Sequence, residues 1–327
     1  LIGIRNIYVD KGDATAYFDY ASKLGSIANM SLAEKDSLSY IAAEKLYVNG
    51  DCEKSNQAFN KYLSDFPQGN FIINSNYYLA DCYFRNGNTD AAIEAFAKVA
   101  AMPKNSFTEQ SLLQLGKIYF GKQQYDKCFE TYSKLENVAE LKSSLLEARL
   151  GKLRSAYQLD KLEEIPVIAN SVLATEKLPA ETEMETRFKL AQTHLKLNRV
   201  DDALIEFSKV ATNLKTKEGA ESKYNIAKIY LNKGEYNKAE TEVFAFAEKN
   251  TPHQYWLAKS FILLADVYMK QDDFFQAKAT LQSVIDGYSN TTDGIIDEAT
   301  NKLNELVKVE KNKQTKTTDD NLSIGVK

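Results

Sequence analysis

Apolar and polar positions recur along the chain with a fixed period. Tyr8, Leu46, Tyr83, Tyr119, Tyr157, His194, Tyr230 and Tyr268 lie 38, 37, 36, 38, 37, 36 and 38 residues apart. Four residues before each of these markers stands an apolar residue: Ile4, Ala42, Leu79, Leu115, Leu153, Leu190, Ile226 or Leu264. Three before it stands a small one in most copies: Ala43, Ala80, Gly116, Ala191, Ala227 and Ala265, with Arg5 and Arg154 as exceptions. Spacings of three and four place these positions on one helical stripe, and the small residue marks where a second helix comes close. Four residues after the marker come Gly12, Gly50, Gly87, Gln123, Lys161, Asn198, Gly234 and Asp272. Glycine, and Asn or Asp at small cost, adopts the left-handed conformation that ends a helix, so the first helix is predicted to stop there.

A second stripe follows. Nine residues after the marker lie Ser55, Ala92, Cys128, Ala203, Ala239 and Ala277, and four further on Phe59, Phe96, Tyr132, Phe207, Val243 and Leu281. Small and bulky residues alternating in this way on two helices interlock. Pro67, Pro103, Pro179 and Pro252 follow several second helices and disfavour their continuation. Each repeat is therefore predicted to be an antiparallel helix pair. Self-similarity at this period predicts a solenoid, in which no pair covers its apolar face without its neighbours.

The pattern of Leu79-Ala80-Asp81-Cys82-Tyr83 with Ala92 and Phe96, of Leu115-Gly116-Lys117-Ile118-Tyr119 with Cys128 and Tyr132, and of Leu264-Ala265-Asp266-Val267-Tyr268 with Ala277 and Leu281 resembles the tetratricopeptide repeat. The resemblance covers roughly residues 1–290. It implies an all-α fold: a right-handed α-solenoid of about eight antiparallel helix pairs, closed by a C-terminal capping helix. The chain departs from the family pattern in two ways. Most copies lack the aromatic usual early in the first helix, and the period is longer than usual, with extra residues between repeats as in Phe66-Pro67-Gln68-Gly69-Asn70-Phe71. The longer repeats resemble those of bacterial envelope proteins such as the lipoprotein of the outer-membrane barrel-assembly machine and the Tol-Pal-associated coordinator protein.

The solenoid is expected over residues 1–310, and residues 311–327 as a polar, disordered tail. The repeat at 141–179 diverges: Arg154 holds its small position, its turn is one residue short, and Pro166 opens its second helix. It reads as a diverged copy or as a kink between two arms. Ile295, Ile296, Ala299, Leu303, Leu306 and Val307 have the spacing of the capping helix. Because the chain opens on Leu1 inside the first helix of a repeat, it is expected to be part of a longer protein.

Composition narrows the function. The 41 basic residues, only six of them Arg, and 45 acidic ones give a net charge of −4, and no strongly basic face emerges. That argues against a nucleic-acid partner, whose phosphates need neutralising. No run of residues approaches the roughly 18 apolar positions of a membrane span. Cys52, Cys82 and Cys128 form no CxxC and are expected as buried packing residues. A Cys52–Cys82 bridge requires the start of one second helix to lie against the next repeat. His194 stands in a marker position and is expected to be a packed ring with one hydrogen bond; His253 opens a helix. No metal site, no cofactor-binding motif and no catalytic motif is present in the pattern, so no enzyme activity, metal or cofactor is expected.

The other face of the first helices carries the candidate site: Tyr40, Glu44 and Tyr47; Tyr77, Asp81 and Phe84; Lys117 and Phe120 beside Leu113. Phe188, Gln192 and Leu195; Tyr224, Lys228 and Leu231; and Ile262, Asp266 and Met269 continue it. Aromatics flanked by polar groups suit a partner-binding groove, although the same rings can pack between adjacent first helices. Glu44 and Asp81 would repel a C-terminal carboxylate of the kind some such repeats bind. The expectation is a non-catalytic scaffold that holds a protein or peptide segment, placed by the resemblance in a bacterial cell-envelope assembly, in the periplasm or at the outer membrane. A cytosolic adaptor, or the regulatory or anchoring segment of a larger enzyme, is the alternative.

Overall fold

The computed structural model describes residues 2–25 and 30–324, with side chains as far as residue 312. Seventeen helices and no strand occur among the described residues. The first helices of the repeats are α1 (Ile2–Asp10), α3 (Leu32–Val48), α5 (Ile72–Arg85), α7 (Thr108–Gly121), α9 (Lys142–Gln158), α11 (Ala180–Lys196), α13 (Lys217–Asn232) and α15 (Gln254–Lys270). Their partners are α2 (Ala14–Ser22), α4 (Cys52–Asp65), α6 (Thr89–Ala101), α8 (Tyr125–Val138), α10 (Ile165–Leu173), α12 (Val200–Val210), α14 (Tyr236–Ala247) and α16 (Phe274–Gly287). The chain divides into two compact halves, Leu1–Glu164 and Ile165–Lys327, at the loop inside the divergent repeat. In each half, helices pack on their neighbours in chain order and first helices touch the first helices of the next repeat. The fold is an all-α solenoid.

One residue makes every turn. The marker's carbonyl accepts a hydrogen bond from the amide five residues on: Asp13 to Tyr8 at 2.9 Å, Asp51 to Leu46 at 3.0 Å, Arg199 to His194 at 2.8 Å, Asp273 to Tyr268 at 2.9 Å. This closes the helix end in the manner of a Schellman cap. The residue between has φ between 56 and 81° in Gly50, Gly87, Gln123, Asn198, Gly234 and Asp272. In the divergent repeat the left-handed residue is Asp160, with φ 50°, rather than Lys161, and the cap shifts back so that Ala156 receives the amide of Lys161. The missing residue in that turn is absorbed by one position of the helix. The amide donor then starts the second helix. Asp13, Asp51, Asn88 and Asp273 each accept a hydrogen bond from the amide three residues on, as N-cap side chains do.

The interlock of small and bulky positions is borne out. Ala43, Ala80, Ala191 and Ala265 on first helices are 0% exposed, as are Phe59, Phe96 and Phe207 on second helices. In the divergent repeat Gly151 makes a close approach to the preceding repeat's α8. A methyl group on Gly151 would come within 2.2 Å of the Tyr132 ring, and one on Gly116 within 2.5 Å. Tyr132 of α8 is thus wedged between a glycine of its own repeat and a glycine of the next. Pro166 takes the second position of α10, where its absent N–H is not missed.

Polar contacts join repeat to repeat. Lys122 pairs with Asp90 and Lys233 with Asp201, both at 2.8 Å and at the same repeat positions. Marker hydroxyls reach the preceding second helix: Asn60 donates to Tyr83 at 3.0 Å, and Tyr268 donates to Glu240 at 2.7 Å. His194 is a half-buried ring in the marker position, and its Nδ1 is buried without a hydrogen-bond partner. The extra residues between repeats are also held. Buried Asp36 accepts hydrogen bonds from Tyr62 Oη and from both nitrogens of Asn70, which fastens the 66–71 loop to α3.

One expectation is corrected. Cys52 and Cys82 are not separate packing residues but a disulfide, with Cα atoms 5.2 Å apart; Cys128 alone is a buried free thiol. The first residue of α4 does lie against the next repeat, which is the condition the bridge requires. The closing helix α17 (Ile295–Ile324) buries Ile295, Ala299 and Leu306 against the last pair.

Gln123 holds a left-handed conformation that favours glycine, so Gln123→Gly is expected to raise stability by about 1 kcal/mol, read as a higher urea midpoint. An unchanged or lower midpoint would contradict the role given to that turn. Gly151→Ala is expected to lower stability by about 1–3 kcal/mol through overpacking against Tyr132. A midpoint equal to the parent's would remove Tyr132 from between the two glycines.

Candidate binding face of the first helices

The proposed groove residues lie where two layers of repeat-specific packing meet, and most of their rings are used in that packing. Tyr40, six residues before its marker, stacks on Phe71 of the next repeat with ring centres 4.2 Å apart and planes 5° from parallel. Tyr77, at the same position one repeat on, stacks on Phe107 at 4.3 Å. In the other half, Tyr224 meets Trp256 at 5.4 Å. Phe71, Phe107 and Trp256 each stand twelve residues before the next marker, in or beside the loops that lengthen the repeat. The extra residues therefore deliver an aromatic lid onto the ring of the preceding first helix. Tyr40 is only 5% exposed. These rings join one repeat to the next.

The polar members of the predicted site are drawn into the same joints. Tyr40 donates to Glu44 at 2.5 Å, and Asn74 of α5 approaches the Tyr40 oxygen at 3.4 Å. Tyr47 donates to Asp81 at 2.8 Å across the joint between α3 and α5, and its ring stacks on Tyr78 at 4.4 Å. Arg85 pairs with Asp81 at 2.6 Å, donates to the Tyr47 oxygen at 3.1 Å and lies 5.1 Å from the centre of its ring. Burial first, and then the carboxylate each phenol donates to, push the Tyr40 and Tyr47 hydroxyls well above the usual tyrosine range. Both are protonated donors at physiological pH, and each holds a carboxylate in a fixed place.

The structure thus brings Tyr40 together with Glu44, and Tyr47 with Asp81, and leaves the remaining predicted residues outside these pairs. Phe120 packs edge-on against Tyr125 of its own repeat at 5.4 Å. Lys117 is exposed on α7. Phe84 stands 38% exposed on α5, one helical turn beyond Asp81 and next to Arg85, whose side chain is 53% exposed. Arg85, Asn74 and Phe71 were not singled out in the sequence. Phe71 and Phe107 carried a signal nonetheless, as aromatics that recur twelve residues before the next marker. No group of three or more His, Cys, Asp and Glu side chains that could hold a metal occurs among the described residues.

Comparison with known proteins agrees with this architecture. A tetratricopeptide repeat model matches residues 40–106 and 187–255, and a second model of the same repeat matches 254–291. Among solved structures, the tetratricopeptide repeat protein of Parabacteroides merdae is 12% identical over 81% of this chain and 98% of its own, with a TM-score of 0.43. The signal transduction ATPase with numerous domains and a tetratricopeptide repeat sensor from Pyrococcus horikoshii is 14% identical over 90% of this chain and 46% of its own, with a TM-score of 0.52. The second likeness shows the fold. No curated protein matches the sequence. The family matches together span more than half of the chain, in the repeats where small residues, markers and left-handed turns recur: the chain belongs to the tetratricopeptide repeat family.

Proposed function

We propose that this chain is a non-catalytic scaffold that holds a segment of another protein against its first helices, and that it works in a bacterial cell-envelope assembly. Tetratricopeptide repeats indicate a protein–protein interaction scaffold. The observation that supports this particular face is the half-exposed Phe84 beside the Tyr47–Asp81–Arg85 cluster. The cluster fixes two charges by hydrogen bonds across a joint, so the face is set before a partner arrives. A preorganised surface loses less entropy on binding. Phe84 and Arg85 are the side chains there with area still open to solvent, and aromatics and arginines are enriched among residues that anchor interfaces. Placement outside the reducing cytosol is supported by the Cys52–Cys82 disulfide. No helix among the described residues is long and apolar enough to cross a membrane.

Tyr77 and Phe84 separate packing from binding. Tyr77→Ala is expected to cost about 3–5 kcal/mol of stability, since it empties the stack between Phe96 and Phe107. Phe84→Ala combined with Arg85→Ala is expected to leave the thermal midpoint within a few degrees of the parent. It is also expected to weaken partner binding at least about thirtyfold, as loss of interface anchors worth 2 kcal/mol or more does. Affinity capture from an envelope extract, followed by titration of the captured partner, measures this. Undiminished binding by the double variant would move the site away from α5.

A further inference from the structure

We infer that Cys52–Cys82 is a covalent substitute for an apolar joint, installed by oxidation during folding, and that it holds the Tyr47–Asp81 face in register. The compartment part of this inference rests on the envelope reading above; the joint does not.

Cys52 stands six residues after its marker and Cys82 one residue before the next. The same two repeat positions fall within one apolar cluster at two other joints. Val200 and Ile229 belong to one apolar cluster, and Tyr236 and Val267 to another. Where those joints place a bulky pair, this one places two small side chains, which as free thiols would leave it underfilled. Joining them restores a tight contact. The bond ties the first turn of α4 to the last turn of α5, next to Asp81 in sequence and near the end of α3 that carries Tyr47. The hydrogen bonds from Tyr47 to Asp81 and from Arg85 to Tyr47 tie the same helix α5 to α3. A covalent link to α4 and a polar cluster with α3 thus hold one helix of the next repeat.

Burial settles when the bond forms. Cys82 is 0% exposed and Cys52 8% exposed, so neither sulfur can be attacked in the closed joint. Oxidation must precede docking of α5 on α4. The two thiols surrender two electrons and two protons to an oxidising disulfide, which leaves as a dithiol, and one S–S bond forms. Cys128, also 0% exposed, is kept out of the exchange by its place in the α7–α8 interlock. The bond is therefore a lasting lock rather than a switch in the folded chain.

Thiol counting by maleimide labelling and mass spectrometry tests the first part. Chain exported to an oxidising compartment should take up one label after denaturation without reductant and three after reduction. It should take up none while folded. Three labels without reductant would overturn the bond. Hydrogen exchange tests the second part. In Cys52→Ala with Cys82→Ala, amides of residues 72–85 should exchange at least about tenfold faster, while those beyond 165 keep the parent rate. Cys52→Val with Cys82→Ile, copying the Val200–Ile229 pair, should bring protection back without a disulfide. If the alanine pair does not fold, the valine–isoleucine pair carries the test: its failure to match the oxidised parent would reject the substitution argument. Parent-like exchange in the alanine pair would reject the positioning role. Neither result depends on a partner being found.

Discussion

A pair of helices with nine to seventeen residues each has too little surface to enclose its own apolar stripe, and every repeat here leaves a row of side chains that only the next repeat can cover. That constraint organises the rest. It requires helices to approach closely, hence Ala43, Ala80, Ala191 and Ala265 with no exposed surface, and the two glycines around Tyr132. It also requires a sharp reversal at the same place in each copy. The left-handed residue after the marker supplies that reversal whether it is Gly, Asn, Asp or Gln. The turn is repeated because its geometry is needed, and residue identity there varies within what that geometry tolerates.

The joints also consume the polar groups that their closeness would otherwise strand. Tyr47 and Asp81, Tyr62 and Asp36, and Tyr268 and Glu240 are each a phenol donating to a carboxylate across helices. A hydroxyl buried without such an acceptor costs free energy, and a carboxylate held by a donor is oriented as well as satisfied. The consequence for function is a surface with little freedom. On α5 the charged groups are positioned by the fold, and Phe84 with Arg85 remains as area that packing does not use. The disulfide ties the same helix to α4.

How much of this was legible in the sequence depends on the range of the interaction. The period, the helix pairs and the turn positions follow from local chemistry: an apolar stripe at spacings of three and four, and a residue able to turn left-handed. Even the shortened turn at 157–161 could be noticed, though not that Asp160 rather than Lys161 would take the left-handed conformation, since either residue could close a cap. The face that carries Tyr40, Glu44, Tyr47, Tyr77, Asp81 and Phe84 was also readable, because helical spacing assigns faces.

What those side chains do was decided by tertiary structure. Tyr40 and Phe84 occupy the same kind of face in the sequence, yet one is capped by Phe71 from the next repeat and the other is half exposed. The difference lies in a loop thirty residues away, and period alone does not say where a loop's aromatic will land. The cysteines show the same limit. Cys52 and Cys82 read as small packing residues until the first turn of α4 is seen to lie 5.2 Å, Cα to Cα, from the last turn of α5. Sequence determined the repeating unit because its forces act within one helix pair; the joints, and with them the surface left for a partner, arise only when one pair is laid on another.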